Sequence, residues 1–155
     1  MHRLTLLAAL TLSTLAAAGD PQDAPGSRDP ALFTRMKGFH IYTFEEKEFE
    51  RFEFPLSLEK TQAVEGAYVN VNYSVNDDVK PPSALQITRN YANAAKAIGG
   101  AVVADYEDGG NQQLTVKVTR GGAETWAFVQ AGNGRYSVQL VEKQAMAQSV
   151  TANAG

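Results

Sequence analysis

No cysteine occurs anywhere in the 155 residues. Disulfides, a thiolate nucleophile, a Cys-ligated metal and a lipid-modified N-terminal cysteine are therefore all excluded. Histidine is nearly as scarce, with His2 and His40 the two in the chain. A zinc site built from several histidines is out of reach of one such chain, and a Ser-His-Asp triad would have to use His40, which no nucleophile-elbow pattern accompanies. Phosphate-binding glycine motifs are absent too: there is no G-x-G-x-x-G and no G-x-x-x-x-G-K-[ST]. Basic runs are lacking and the formal charge is −3, which argues against nucleic acid and anionic lipid as partners. No cofactor is expected, and the chain reads as non-enzymatic.

Long hydrophobic runs are confined to the N-terminus. Arg3 is followed by an apolar stretch from Leu4 to Leu15 and then by Ala16, Ala17 and Ala18. A positive start, a short apolar run and small residues at the cleavage positions make a secretory signal peptide over residues 1–18, too short to span a bilayer as a helix. The expected mature chain is exported to the periplasm or beyond. Residues 19–31, rich in Pro, Gly and Asp, read as a flexible lead-in to a single domain over 32–150, with 151–155 as a frayed tail.

Within that domain, periodicity of two dominates. Phe39 to Phe44 and Glu50 to Leu56 read as two strands separated by the polar stretch Glu45 to Glu48. Ala67 to Val75 alternates Val69, Val71, Tyr73 and Val75 against Asn70, Asn72 and Ser74, the pattern of a strand with one buried and one solvated face. Ser83 caps a predicted helix from Ala84 to Ile98, whose apolar stripe is Leu85, Ile87, Tyr91, Ala94, Ala95 and Ile98, stopped by Gly99 and Gly100. Four short alternating strands follow over 101–106, 114–119, 124–130 and 135–141, separated by glycine-rich turns that signal an antiparallel meander. Residues 142–149 have helix propensity and predict a short terminal helix. The expected fold class is α+β: a single antiparallel sheet with one main helix packed on one face.

Candidate chemistry is sparse. Glu45, Glu46, Glu48, Glu50 and Glu53 crowd one segment, but Lys47 and Arg51 interleave them, so they read as a solvated charged surface and not as a paired acid and base. Asp105 to Asn111 has the acids and glycines of a calcium loop, yet Val116 stands where a bidentate glutamate is required. A hairpin turn explains it more simply. Tyr68, Trp126 and Tyr136 are the candidate ligand-binding residues, able to line a cleft for a sugar or small molecule between helix and sheet.

Three segments taken together, 29–39 (DPALFTRMKGF), 82–100 (PSALQITRNYANAAKAIGG) and 141–153 (VEKQAMAQSVTAN), resemble the N-terminal domain of a group of proteobacterial OmpA-family envelope proteins. The resemblance implies an envelope location and an α+β domain, and carries no site residue with it. In such proteins a C-terminal peptidoglycan-binding domain usually follows. These 155 residues contain no match to its cell-wall-binding motif, so peptidoglycan binding is not implied for them. The expected role is an exported interaction module that contacts an envelope protein or a cell-wall-associated component through its sheet edge or solvated face.

Overall fold

A computed structural model describes residues 19–153 and 155; the signal peptide expected over 1–18 lies outside the described residues. The elements run β1 (Phe39–Pro55), β2 (Thr61–Val75), α1 (Ala84–Ala97), β3 (Ala101–Asp108), β4 (Asn111–Arg120), β5 (Ala123–Ala131) and β6 (Arg135–Lys143). All six strands join one sheet in the order β1-β2-β6-β5-β4-β3, and every neighbouring pair is antiparallel. The chain thus makes one hairpin, crosses to the far edge through α1, and returns as a meander that ends beside β2.

The α+β assignment is corrected by this arrangement: the molecule is mostly β, with one short helix among the described residues. Two expectations fail in the same direction. Residues 39–44 and 50–56 belong to one strand, β1, because the polar stretch between them continues the ladder through a register shift at Lys47/Glu50 and does not break it. The expected terminal helix is absent, since residues 144–150 are exposed and carry no apolar stripe to bury. Instead the Gln144 N–H donates to the Glu65 carbonyl (3.2 Å), prolonging the β-ladder by one step.

The helix itself is capped as its sequence demands. Ser83 Oγ accepts from the Gln86 N–H (3.1 Å), and Gly99 takes a positive φ of 82° just beyond the C-terminus. Its buried stripe is Ile87, Thr88, Tyr91, Ala92 and Ala95. Leu85 and Ala94, expected on that stripe, are exposed, and Thr88 and Ala92 are buried in it instead. The helix contacts mainly β3, β4 and β5 and leaves most of the β6-β2-β1 half of the sheet to other cover.

That cover runs over residues 20–36 and so joins most of the expected lead-in, 19–31, to the start of the expected domain at Leu32. Pro30 and Phe33 are buried, and Leu32 and Met36 pack on the same core as Ile41, Val71, Tyr73, Tyr136 and Val138. Arg35 locks it down. Its Nη1 donates to Asp23 (2.6 Å) and its Nε to Asp29 (3.0 Å), while the Tyr73 hydroxyl donates to Asp29 (2.8 Å). Asp23 also accepts the Ile41 N–H (2.7 Å), and the Ala24 N–H donates to the Ile41 carbonyl (2.7 Å). The Tyr136 hydroxyl accepts from the Met36 N–H (2.9 Å) and from Tyr91 (3.1 Å), which ties the segment to the helix as well. Apolar burial and a partly buried ion pair hold these residues, an order that the Pro- and Asp-rich composition of residues 19–31 does not announce.

The opposite face carries a second core. β1 and β2 run for 17 and 15 residues, against 8 to 10 for the remaining strands, and β2 pairs with β6 only from Gly66 to Ser74. The overhanging arm folds back over the sheet. Phe52, Phe54 and Val64 from the arm meet Tyr68, Trp126, Phe128 and Val141. The Phe54 and Trp126 rings lie 5.7 Å apart, and Thr115 Oγ1 donates to the Pro55 carbonyl (2.6 Å). Gly66 is where the arm leaves β6. A Cβ there would stand 1.9 Å from the Glu142 carbonyl oxygen, an approach that no other residue type permits without backbone movement.

Two predictions follow from these contacts. Gly66→Ala should cost about 1–3 kcal/mol, the range for overpacking a tight site, read as a lower urea midpoint with an unchanged slope. A loss no larger than ordinary surface substitutions would show that the arm does not need this close approach. Burial alone would raise the Asp23 carboxyl, but the hydrogen bonds from Arg35 and the Ile41 N–H outweigh it and hold the group below the ordinary carboxylate range. A depressed carboxyl stabilises the fold above its unfolded value of about 3.9 and loses that contribution as pH falls through its folded value. The stability difference between wild type and Asp23→Asn should therefore narrow below about pH 4, and a difference constant down to pH 2 would contradict the assignment.

Candidate functional site

Tyr68, Trp126 and Tyr136 are not brought together, and none is open. They are 8%, 8% and 3% exposed. Tyr136 stacks on Tyr73 in the core beneath the N-terminal segment, where burial pushes its hydroxyl up to about 12. Tyr68 and Trp126 lie on the other face under the folded arm, and Trp126 Nε1 donates to Glu124 (2.7 Å). All three serve mainly in packing, and no one depression is lined by them together: Tyr136 borders one at Asn72 and Arg135, and Trp126 another at Val64 and Lys143.

The other sequence candidates resolve into ordinary surface structure. His40 Nδ1 pairs with the Asn76 side chain at 2.7 Å. Lys47 bonds Glu50 (2.9 Å) and Arg51 bonds Glu53 (2.7 Å), and these contacts hold both acids below the ordinary range, the opposite of a general acid. Asp105 to Asn111 forms the end of the β3–β4 hairpin: 105–108 are strand, paired with β4, and Gly109 and Gly110 make the turn at positive φ. Among the described residues no group of three His, Asp or Glu is placed to hold a metal ion.

Two surface features remain. The first is the part of the second face that the arm leaves uncovered. Antiparallel register aligns Thr43, Asn72, Ser137, Gln130 and Gln113 in one lateral row across β1, β2, β6, β5 and β4. The next row places Asn70 beside Gln139 and Gln139 beside Phe128, and beyond it Tyr68, Val141 and Trp126 turn the face apolar. Polarity thus changes along the strands where the arm begins to cover them. A shallow depression at the polar end is lined by Tyr42, Asn72, Asn111, Gln130, Arg135 and Ser137. The β1 irregularity between Ile41 and Thr43 leaves Tyr42 outside the ladder, 44% exposed, with the Arg135 guanidinium 5.4 Å from its ring centre.

Sequence reasoning found Asn70 and Asn72 but missed Tyr42, Gln130, Arg135 and Ser137. Ser137 and Gln139 alternate with Tyr136, Val138 and Leu140 as plainly as the asparagines alternate with valines. Strand order, which no single-strand pattern contains, is what brings the two sets side by side.

The second feature is the contrast between the two sheet edges. On β1 the Ile41 backbone is bonded on its outer side by Asp23 and Ala24, and Glu45, Glu46, Lys47, Glu48, Glu50, Arg51 and Glu53 guard the remaining length. Charged side chains are a common protection of a free edge. β3 pairs with β4 alone and has no backbone cover on its outer side among the described residues. Val103 bulges out of its ladder, 37% exposed, and Asp105, Glu107 and Asp108 follow it on the exposed strand.

Compared with family models, curated proteins and solved structures, the chain matches none. No helix among the described residues is long and apolar enough to cross a membrane.

Proposed function

We propose that this protein is an exported, non-enzymatic binding module of the cell envelope that captures an extended segment of a partner protein along β3. The observation that carries the reading is the difference between the edges: one is bonded by the chain itself and ringed with charge, while the other, which also carries acids, has no backbone partner on its outer side among the described residues. A sheet edge offers a row of unsatisfied N–H and C=O groups at strand spacing, and an added strand satisfies them at little cost in specificity or conformational rearrangement. Glu107 and Asp108 favour a segment bearing Lys or Arg, since long-range attraction raises the rate of encounter, whereas Asp105 already faces Arg89 at 3.7 Å.

They also disfavour a second copy of the same strand, which would bring two acidic edges together. Export is supported by the signal-peptide layout of residues 1–18, and the envelope by the likeness of three segments to the N-terminal domain of OmpA-family proteins. Neither bears on which partner is bound.

Alternating Thr-Lys and Thr-Glu peptides of strand length provide the test. The Thr-Lys peptide should shift backbone amide resonances of residues 101–108, and the Thr-Glu peptide should not. Val103→Pro removes a backbone N–H at the bulge, and Glu107→Lys with Asp108→Lys reverses the charge; each should abolish the shifts while leaving the thermal midpoint within a few degrees. Shifts that survive both changes, or that fall elsewhere on the sheet, would overturn capture at β3.

A further inference from the structure

The polar depression on the second face has a chemistry of its own, independent of the β3 edge. We infer that it is a saccharide site that selects sugars bearing a carboxylate. Asn72, Asn111, Gln130 and Ser137 line it, and amides and hydroxyls both donate and accept, which matches the mixed demands of sugar hydroxyls. Asn72 spends one Nδ2 hydrogen on Thr43 Oγ1 (2.8 Å), which fixes its orientation and leaves its carbonyl oxygen for a ligand.

Tyr42 supplies an exposed ring beside these groups, the flat apolar surface on which a pyranose face packs. None of the lining residues is acidic, so an anionic ligand meets no repulsion inside the depression. Arg135 is its one cation, makes no ion pair among the described residues, and is steadied against the Tyr42 ring. A planar guanidinium held in this way presents two parallel N–H groups to a carboxylate, a geometry that lysine cannot reproduce.

Tetragalacturonate and the neutral cellotetraose, each titrated into the mature protein and followed by amide and side-chain resonances, separate the alternatives. The uronate should bind at least tenfold more tightly than cellotetraose, with shifts at residues 42, 72, 130, 135 and 137. Arg135→Gln should reduce uronate binding to the level of cellotetraose at an unchanged thermal midpoint. Arg120→Gln, an exposed arginine outside the depression, should leave binding as in wild type. The β3 substitutions should also leave it unchanged, so this site and strand capture can fail separately. Equal affinity for both sugars, loss of uronate binding in Arg120→Gln, or absence of shifts in the depression would each overturn the proposal.

Discussion

Six strands side by side make a sheet about 24 Å wide, and one helix with its side chains covers about 10 Å of it. The organisation of this domain follows from that shortfall. With α1 packed mainly on β3, β4 and β5 and reaching β6 through Tyr91, most of the valines and tyrosines of β2 and β6 would face water unless something else covered them. Residues 20–36 do so, and Arg35 between Asp23 and Asp29 fixes them against Tyr73. The same segment satisfies the Ile41 backbone and thereby closes part of one sheet edge. Core cover and edge protection are one structural event.

The far face solves the converse problem. A 17-residue strand continued straight would carry Phe52 and Phe54 beyond the sheet into solvent. Folding the arm back over the sheet packs them against Trp126 and Phe128, with Phe54 fully buried, and it also decides which part of the face stays open. Where the arm lies, the sheet presents Trp126, Val141 and Tyr68. Where it does not, the sheet presents Asn72, Ser137 and Gln130. The polar depression and the outer β3 edge are what remains after both covering elements are in place.

Local patterns made much of this legible. The alternation from Val69 to Val75, the Ser83 cap and the glycine turns of the meander lie where their residue types require. What local pattern could not carry was anything set by strand order. Phe52 and Phe54 looked like members of an ordinary short strand, because the partners on β5 are distant in sequence. Tyr68, Trp126 and Tyr136 looked like a platform because aromatics serve equally for packing and for binding, and only their partners decide. The 19–31 segment carried the composition of a linker because its order comes from long-range bonds to Ile41, Tyr73 and Tyr136. Tyr42, by contrast, was hidden in a strand whose bulge, invisible in the sequence, turns it outward.

Site-resolved hydrogen exchange of the native protein tests the central claim, that the N-terminal segment and the folded arm belong to the same cooperative unit as the sheet while β3 presents a free edge. Amides of the arm from Phe52 to Val64 that pair across the β1–β2 ladder, and the Ile41 amide under Asp23, should exchange with the protection of β5 and β6, and the outward-facing amides of β3 should exchange far faster. An arm and an Ile41 amide exchanging as fast as the β3 edge would contradict the account, because both coverings would then be loose attachments to a sheet that is stable without them.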